Sequence, residues 1–156
     1  MKKILFCIIF LGVGIALSIH GKKVLDNAKA SLDWPTCDGM VVTSSVDKQR
    51  KTSGTGSSRK TSTTYHANVM YDYVVNEATY SSDNVSFGQG GNSNPNSARQ
   101  IVNRYPAGKK TSVYFNPDSP EIAVLEPGAK GGSYMLLGGG VLFSVVGIAI
   151  LFGRVR

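Results

Sequence analysis

The 156-residue sequence has few of the side chains on which most catalytic and metal sites depend. Its two histidines, His20 and His66, have no cysteine, histidine or carboxylate at metal-ligand spacing, so we expect no metal site. Its two cysteines are Cys7, inside an apolar run, and Cys37, so no disulfide bond is expected within the central region. We interpret Cys37 as a small buried hydrophobic residue, with an intermolecular bridge as the alternative.

Nucleophile and phosphate motifs are also missing. Serine and threonine are abundant, but there is neither a nucleophile elbow nor a Ser-x-x-Lys run in a helical setting. The glycine-rich segment Gly88–Asn96 lacks the lysine and the spacing of a phosphate-binding loop. Asp72 and Glu77 are the acids near the middle strand, and a solvated strand face and a turn account for them more simply than a carboxylate pair. We therefore expect no enzymatic activity and no cofactor.

Charged residues are absent from two long apolar stretches near the ends of the chain, Ile4–Ile19 and Tyr134–Gly153. As helices rising 1.5 Å per residue, they span ~24 Å and ~30 Å. The longer stretch matches the hydrocarbon core of a bilayer, and the shorter one spans it if flanking lysines extend to the interfaces or the bilayer thins. We predict transmembrane helices within residues 1–21 and 131–156, the second followed by a basic tail.

The first apolar stretch has an alternative interpretation as a secretory signal peptide, with Ala28-Lys29-Ala30 as an acceptable cleavage site. The charged spacer after Ile19 is unusual for such a peptide, so we favour a retained helix. Residues 22–33 are predicted to continue it as a juxtamembrane helix that ends before Trp34-Pro35, because apolar residues recur there at helical spacing. Trp34 is expected either at the lipid headgroups or at the base of the central domain.

The distribution of charge predicts the orientation in the membrane. All 10 acidic residues lie between the apolar stretches, whereas the two ends carry basic residues alone, namely Lys2, Lys3, Arg154 and Arg156. Since positive charge is retained on the cytoplasmic side, we expect both termini in the cytoplasm and the central domain outside the cytoplasmic, or inner, membrane. Lys22 and Lys23 oppose this orientation locally.

Small residues recur at four-residue spacing in both apolar stretches, as Gly12-x-x-x-Ala16, Gly14-x-x-x-Ser18 and Gly140-x-x-x-Ser144. Such spacing lets helix backbones approach closely in lipid, and it predicts packing of the two helices on each other or on a partner. Glycine is frequent in membrane helices, so coincidence is the alternative interpretation.

The central residues, 34–130, have the alternating pattern of β-strands. Tyr65–Val75 is the clearest strand. We interpret its tyrosine face as part of the core, with the hydroxyl groups in contact with solvent, rather than as a ligand platform. Ser97–Arg104 is predicted to be a short helix capped by Asn96 or Ser97. Four further strands are predicted over Met40–Val46, Tyr80–Phe87, Lys110–Phe115 and Glu121–Leu125. The predicted fold class is an α+β membrane protein, with an antiparallel domain of about five strands and one short helix between two transmembrane helices.

A basic segment of low hydrophobicity, residues 47–64, interrupts this pattern. Its composition predicts a disordered, solvated loop. The alternative is contact with an anionic surface through Lys48, Arg50, Lys51, Arg59 and Lys60. No aromatic residue is interleaved within the loop, so we expect no nucleic-acid partner.

Three groups of motif residues lie between Trp34 and Gly128. They are Trp34-Pro35-Thr36 with Gly39, the middle-strand tyrosines, and a C-terminal run that contains Tyr-Pro-Ala-Gly, Tyr-Phe-Asn-Pro and Leu-Glu-Pro-Gly. This arrangement resembles the bacterial membrane-protein family called domain of unknown function 3592. The resemblance implies a small β-rich domain between two membrane helices and no established reaction. It implies structural roles for Trp34, Pro35, Gly39, Tyr71, Tyr73, Tyr105, Pro106, Gly108, Tyr114, Asn116, Pro117, Leu125, Pro127 and Gly128.

These features together favour a membrane-anchored, extracytoplasmic interaction or accessory protein of the bacterial envelope. Its expected partners are the membrane, crossed twice, and another envelope protein. Two alternatives are an immunity protein that masks a toxin and a module that contacts anionic lipid or glycan through the basic loop.

Overall fold

The computed structural model describes residues 2–55 and 59–152, which form two compact units. The first, the helix unit, comprises Met1–Leu32, Ser86–Gly88 and Pro127–Arg156. The second, the sheet unit, comprises Asp33–Val85 and Gln89–Glu126. Residues 1, 56–58 and 153–156, which include part of the predicted basic loop and the predicted basic tail, lie outside the described residues.

The chain begins and ends with its two longest helices. In chain order the elements are α1 (Lys2–Ala30), a 3-10 turn (Ser31–Asp33), β1 (Thr36–Ser53), β2 (Lys60–Val75), β3 (Ala78–Ser82), α2 (Pro95–Arg104), β4 (Lys110–Asn116), β5 (Ser119–Val124) and α3 (Gly131–Phe152). α1 continues without a break through the predicted juxtamembrane segment, and the 3-10 turn ends before Trp34-Pro35, as expected.

One helix in the described part of the chain is long and apolar enough, by length and composition, to cross a membrane. It is the Gly131–Ala149 segment of α3, which spans ~28 Å at 1.5 Å per residue. A long apolar helix is thus present where the C-terminal membrane helix was predicted, and its crossing of a membrane stays a prediction. Among the residues described, α1 does not meet the same criterion, so a second span stays a prediction.

Helices α1 and α3 pack closely at two glycines. A Cβ atom on Gly14 would lie 2.6 Å from the Ser144 hydroxyl oxygen and 2.7 Å from the Ser144 backbone nitrogen, and one on Gly140 would lie 2.6 Å from the Ser18 backbone nitrogen. Each serine hydroxyl donates to the carbonyl one turn earlier, Ser18 to Gly14 at 2.8 Å and Ser144 to Gly140 at 3.0 Å. The prediction of helix packing is confirmed for these two motifs, whereas a Cβ atom on Gly12 would meet no atom of another segment within 4 Å.

The sheet unit contains a five-stranded antiparallel sheet in the order β3-β2-β1-β4-β5, which confirms the predicted α+β fold with about five antiparallel strands. Its edge strands, β3 and β5, contact each other. Beyond β5, the backbone N–H groups of Leu125 and Glu126 donate to the Val85 carbonyl at 3.1 and 2.7 Å. The sheet therefore curls until its two edges meet, as in an open barrel.

The core lies on the concave face of the sheet, under α2. Its central members are Val69, Tyr71, Tyr73 and Val75, so the predicted core face of β2 is confirmed. The expectation that the tyrosine hydroxyls are wet is wrong. Tyr71 donates to the Asn84 carbonyl at 2.8 Å and Tyr73 to the Pro120 carbonyl at 2.6 Å, because a buried hydroxyl is costly without a partner.

The structure differs from the prediction at the start of α2, at the end of β3 and in the alternation of side chains along β1. α2 begins at Pro95, because the Asn94 side chain accepts the Asn96 N–H and proline is favourable in the first turn. β3 ends at Ser82, and beyond it Val85 reaches the core from a loop. In β1 the pairing with β2 shifts between Val41 and Thr43, which is a β-bulge and changes the alternation of its side chains.

The prediction of a disordered loop over residues 47–64 is wrong for 47–53 and 60–64. These residues continue β1 and β2, and their pairing extends from Asp47 opposite His66 to Ser53 opposite Lys60. Threonines contribute to the pairing, and the hydroxyl groups of Thr52 and Thr61 are 3.3 Å apart. The pairing extends a hairpin that is already anchored in the sheet, and threonine favours extended backbone, so order does not require a core of its own.

The glycine contacts predict that Gly14→Ala destabilises the helix pair. The added methyl group must displace the Ser144 backbone, and overpacking of this kind costs about 1–3 kcal/mol. The free energy of unfolding in a detergent-denaturation titration, followed by helical circular dichroism, measures the loss.

Gly12→Ala is the matched control, because nothing lies within 4 Å of the position where its Cβ would be. Alanine is a better helix former than glycine, so this variant should be at least as stable as the parent. Equal destabilisation by the two substitutions would contradict a specific close approach at Gly14.

Candidate functional site

The five predicted basic residues lie on a two-stranded arm, which we define as residues 47–53 of β1 and 60–66 of β2, with Arg59 directly before it. Lys48 pairs with Tyr65, and Arg50, Lys51 and Lys60 pair with Thr63, Ser62 and Ser53. All five basic side chains are exposed. Since side chains alternate along a strand and paired residues share a face, Lys48 and Arg50 lie on one face and Lys51 and Lys60 on the other.

The arm is strongly cationic. Asp47 is its one acidic residue. The ion pairs among the described residues, Lys22–Asp26 and Arg104–Glu126, lie outside it. The Lys48 ammonium is 5.9 Å from the centre of the Tyr65 ring, within the range of a cation–π contact. The fold thus brings the predicted cations into one ordered ribbon but divides them between its faces.

A second surface, absent from the sequence analysis, is the convex side of the sheet, which we call the outer face. In the described part of the sheet unit, the large apolar side chains that are exposed all belong to β1 and β2. They are Met40 (51% exposed), Val42 (50%), Met70 (44%) and Val74 (54%). The sequence signal for Met70 and Val74 was that they occupy positions alternating with the buried tyrosines of β2, where polar residues are the rule.

The strand register makes the outer face contiguous. Met40 lies opposite Asp72 on β2 and opposite Lys110 on β4, and Met70 and Val74 flank Asp72 along β2. The Asp72 carboxylate accepts a hydrogen bond of 2.6 Å from the Ser81 hydroxyl. A shallow cavity of about 310 Å³ opens here, with Asp38, Met40, Asp72, Val74, Thr79 and Lys110 in its lining.

A smaller cavity, of about 260 Å³, is polar and lies at the base of the arm. Its lining includes Asp47, Gln49, His66, Asn68 and Asp83. Among the described residues, no group of three or more histidines, cysteines or carboxylates is placed to hold a metal ion. This cavity therefore offers polar contacts without a metal-binding arrangement.

Three motif residues of the sheet unit, Gly39, Gly108 and Asn116, lie at a tight packing contact or in turns. Gly39 is buried, and a Cβ there would lie 2.5 Å from Val113 Cγ2. Gly108 adopts a φ of 81° in the turn before β4 and donates its N–H to the Val41 carbonyl at 2.7 Å. The Asn116 side chain accepts the Asp118 N–H at 2.9 Å across Pro117.

The remaining motif residues of the sheet unit make backbone or packing contacts. The Pro35 carbonyl accepts the Phe115 N–H at 3.2 Å and the Pro106 carbonyl accepts the Lys109 N–H at 3.1 Å. Tyr114 lies in β4, Trp34 is partly buried, and Leu125 and Tyr105 are buried. The Tyr105 hydroxyl donates to the Glu126 carboxylate at 3.3 Å.

The helix unit holds the last two motif residues, Pro127 and Gly128. Gly128 has a φ of 96°, and its N–H donates to the Ser31 hydroxyl at 2.9 Å, which in turn donates to the Ala28 carbonyl at 2.7 Å. The Ser133 hydroxyl likewise donates to the Phe87 carbonyl at 2.8 Å. These two buried serines join separate chain segments of the helix unit, and the sequence analysis did not identify them.

Burial keeps the titratable groups of the core neutral. It raises the pKa of Tyr73 to about 12 and that of Tyr71 still further. Burial, with a smaller effect of Glu126, raises the pKa of Tyr105. Burial, reinforced by Asp38, raises the pKa of the Cys37 thiol, which makes it a poor nucleophile.

The Tyr73 hydroxyl predicts a loss of stability at alkaline pH. Its pKa is about 12 in the folded protein and about 10 in an unfolded chain. The unfolded chain therefore loses the proton first, and the stabilisation present below about pH 10 declines as the pH rises towards about 12. Tyr73→Phe should cost about 1–3 kcal/mol at neutral pH, because the Pro120 carbonyl loses its donor, and should weaken the alkaline decline.

Tyr114→Phe is the control for this prediction, since it removes a hydroxyl from a partly buried position on β4. Chemical denaturation at a series of pH values measures both effects. An alkaline decline that is unchanged in Tyr73→Phe would show that other groups cause it.

Comparison with known proteins identifies the family. No curated protein matches the chain. The family described as Domain of unknown function (DUF3592) matches residues 37–130, which contain the whole five-stranded sheet apart from Thr36 and also α2. That match covers more than half of the sequence, and it confirms the resemblance that the motif residues indicated. The chain therefore belongs to the DUF3592 family.

Proposed function

We propose that this protein is a membrane-anchored interaction protein of the bacterial cell envelope, without catalytic activity, that binds a protein partner through its outer face. The observation that supports the proposal is the gathering of Met40, Val42, Met70 and Val74 on one side of two neighbouring strands. Exposed apolar residues scattered singly are ordinary, whereas a contiguous apolar patch with a polar rim is typical of an interaction site.

The closed edges of the sheet favour the same surface. A sheet with free edges can bind a partner by strand addition. Here β3 and β5 contact each other, and the loop carbonyl of Val85 accepts two N–H groups next to β5. Around the core, a partner is therefore expected to bind the face of this sheet by side-chain packing. Free strand edges remain along the arm, where β1 and β2 pair only with each other among the described strands.

The proposal includes two membrane spans, α1 and α3, with both termini in the cytoplasm and the sheet unit outside the cytoplasmic membrane. The apolar length of Ile4–Ile19 supports the first span, and the basic residues at both ends of the sequence support the orientation. A membrane-impermeant reagent applied to intact cells tests this orientation together with partner binding.

Capture of the partner tests the role of the outer face. Intact cells are treated with an impermeant amine crosslinker, and the chain is purified with its crosslinked proteins. Replacing Met40 and Val74 by aspartate should reduce the crosslinked partner at least tenfold, because each new carboxylate would have to lose its hydration in an apolar contact.

Ala78→Asp provides a control for the added charge, since Ala78 is exposed at the start of β3 and lies outside the apolar patch. It should leave the crosslinked partner unchanged. A partner retained by the Met40 and Val74 variant, or a chain that the impermeant reagent does not reach, would contradict the proposal.

A second candidate function, contact with an anionic lipid or glycan surface, is favoured by the cations of the arm. Each basic residue near an anionic membrane contributes about 1 kcal/mol at physiological salt. Arg50→Glu should therefore weaken binding of the full chain, held in neutral nanodiscs, to phosphatidylglycerol vesicles by roughly tenfold or more. Cosedimentation at low and high salt measures it.

Arg99→Glu is the matched control, because it makes the same change of charge on the exposed side of α2. It should have a much smaller effect if the arm makes the contact. Equal effects of the two substitutions would indicate attraction by net charge alone.

A further inference from the structure

We propose that the outer face binds a second copy of this chain, to form a two-fold symmetric dimer. This inference rests on the proposed function, since it names the occupant of the same apolar patch. The outer face carries charges of both signs beside its apolar centre, and their positions make the face complementary to itself.

The charges lie in one row across the sheet. Met40 is at its centre, with Asp72 opposite on β2 and Lys110 opposite on β4. Neighbouring strands are about 4.8 Å apart, so the acid and the base are equally distant from Met40 on its two sides. In the described part of the chain, neither group takes part in an ion pair, and the Asp72 carboxylate accepts the Ser81 hydroxyl.

A two-fold axis along β1 uses this row. Rotation about this axis places β2 of one copy over β4 of the other. Asp72 of each copy therefore faces Lys110 of the other copy. Met40 and Val42, both on β1, then meet the same residues of the second copy on the axis. The result is an isologous interface with an apolar centre between two equivalent ion pairs.

The mixed sign of the charges favours a second copy over an unrelated protein. A rim of one sign would require a partner of the opposite sign, whereas an acid and a base placed symmetrically about an apolar centre match their own rotated image. Asp38 is the exception, because it lies on β1 and would face Asp38 of the second copy. It therefore provides a control that shares the charge of Asp72 but not its partner.

Charge exchange tests the arrangement. The full chain is purified in detergent, and its oligomeric mass is measured over a range of protein concentrations, with circular dichroism to show that each variant is folded. Asp72→Lys and Lys110→Asp should each weaken dimer formation at least tenfold, since each turns two attractive pairs into repulsive ones. The two substitutions combined should restore the dimer, because the pairs re-form with their signs exchanged.

The combination of Lys110→Asp with Asp38→Lys has the same net charge as the restoring pair and should not restore the dimer. A monomeric parent chain, or no restoration by the exchange at Asp72 and Lys110, would overturn the proposal. If the parent is monomeric but still loses a crosslinked envelope protein when Met40 and Val74 are replaced, the proposed function stands and only the second copy is refuted. If neither dimer nor crosslinked partner depends on the outer face, both fail.

Discussion

The antiparallel pairing of β1 with β2 determines where the surfaces of the sheet unit lie. It begins at Gly39 opposite Tyr73, and it continues past the bulge near Val42 to Ser53 opposite Lys60. Because side chains alternate along both strands, this one register directs Tyr71 and Tyr73 into the core and leaves Met40 and Val74 outside. The same pairing, extended beyond the core, forms the arm and separates its cations onto two faces.

The buried tyrosines then close the sheet around that pairing. Tyr73 reaches from β2 to the Pro120 carbonyl on β5, and Tyr71 reaches the Asn84 carbonyl beyond β3. Both bonds lead from β2 towards the place where the edges of the sheet meet. With these two edges in contact, the surfaces left for a partner are the outer face and the arm. The outer face presents side chains, whereas the two strands of the arm pair with each other and, among the described strands, with no third one.

Much of the fold was predictable from local patterns in the sequence. The tyrosine stripe of β2 gave a correct core face because its alternation is unbroken, and the motifs at Gly14 and Gly140 gave a correct helix contact because only small residues permit it. The prediction that the tyrosine hydroxyls contact solvent was wrong, because their acceptors, the carbonyls of Asn84 and Pro120, are distant in sequence. No local pattern indicates which carbonyl a curled sheet brings to a buried hydroxyl.

The order of the arm and the outer face were missed for a related reason. Composition describes whether a segment can bury enough surface on its own, whereas the arm extends an anchored hairpin and needs only pairing. For the outer face, Met40 and Val42 look like core residues of β1 when that strand is considered alone. The bulge and the tyrosines of the paired strand decide that Val41 is buried and that its two apolar neighbours are exposed.

The two surfaces differ in chemistry, so they fit different partners. The arm offers cations and hydroxyl groups without exposed large apolar side chains in its described part, and attraction by such a ribbon is long-ranged and screened by salt. The outer face offers an apolar centre flanked by Asp72 and Lys110, and burial of that centre depends little on salt. Salt also screens the two ion pairs proposed at the outer face, but it leaves the apolar centre in place. A rise in salt concentration should therefore weaken binding by the arm more than binding by the outer face. The charges of the two surfaces are arranged so differently that one ligand is not expected to bind both.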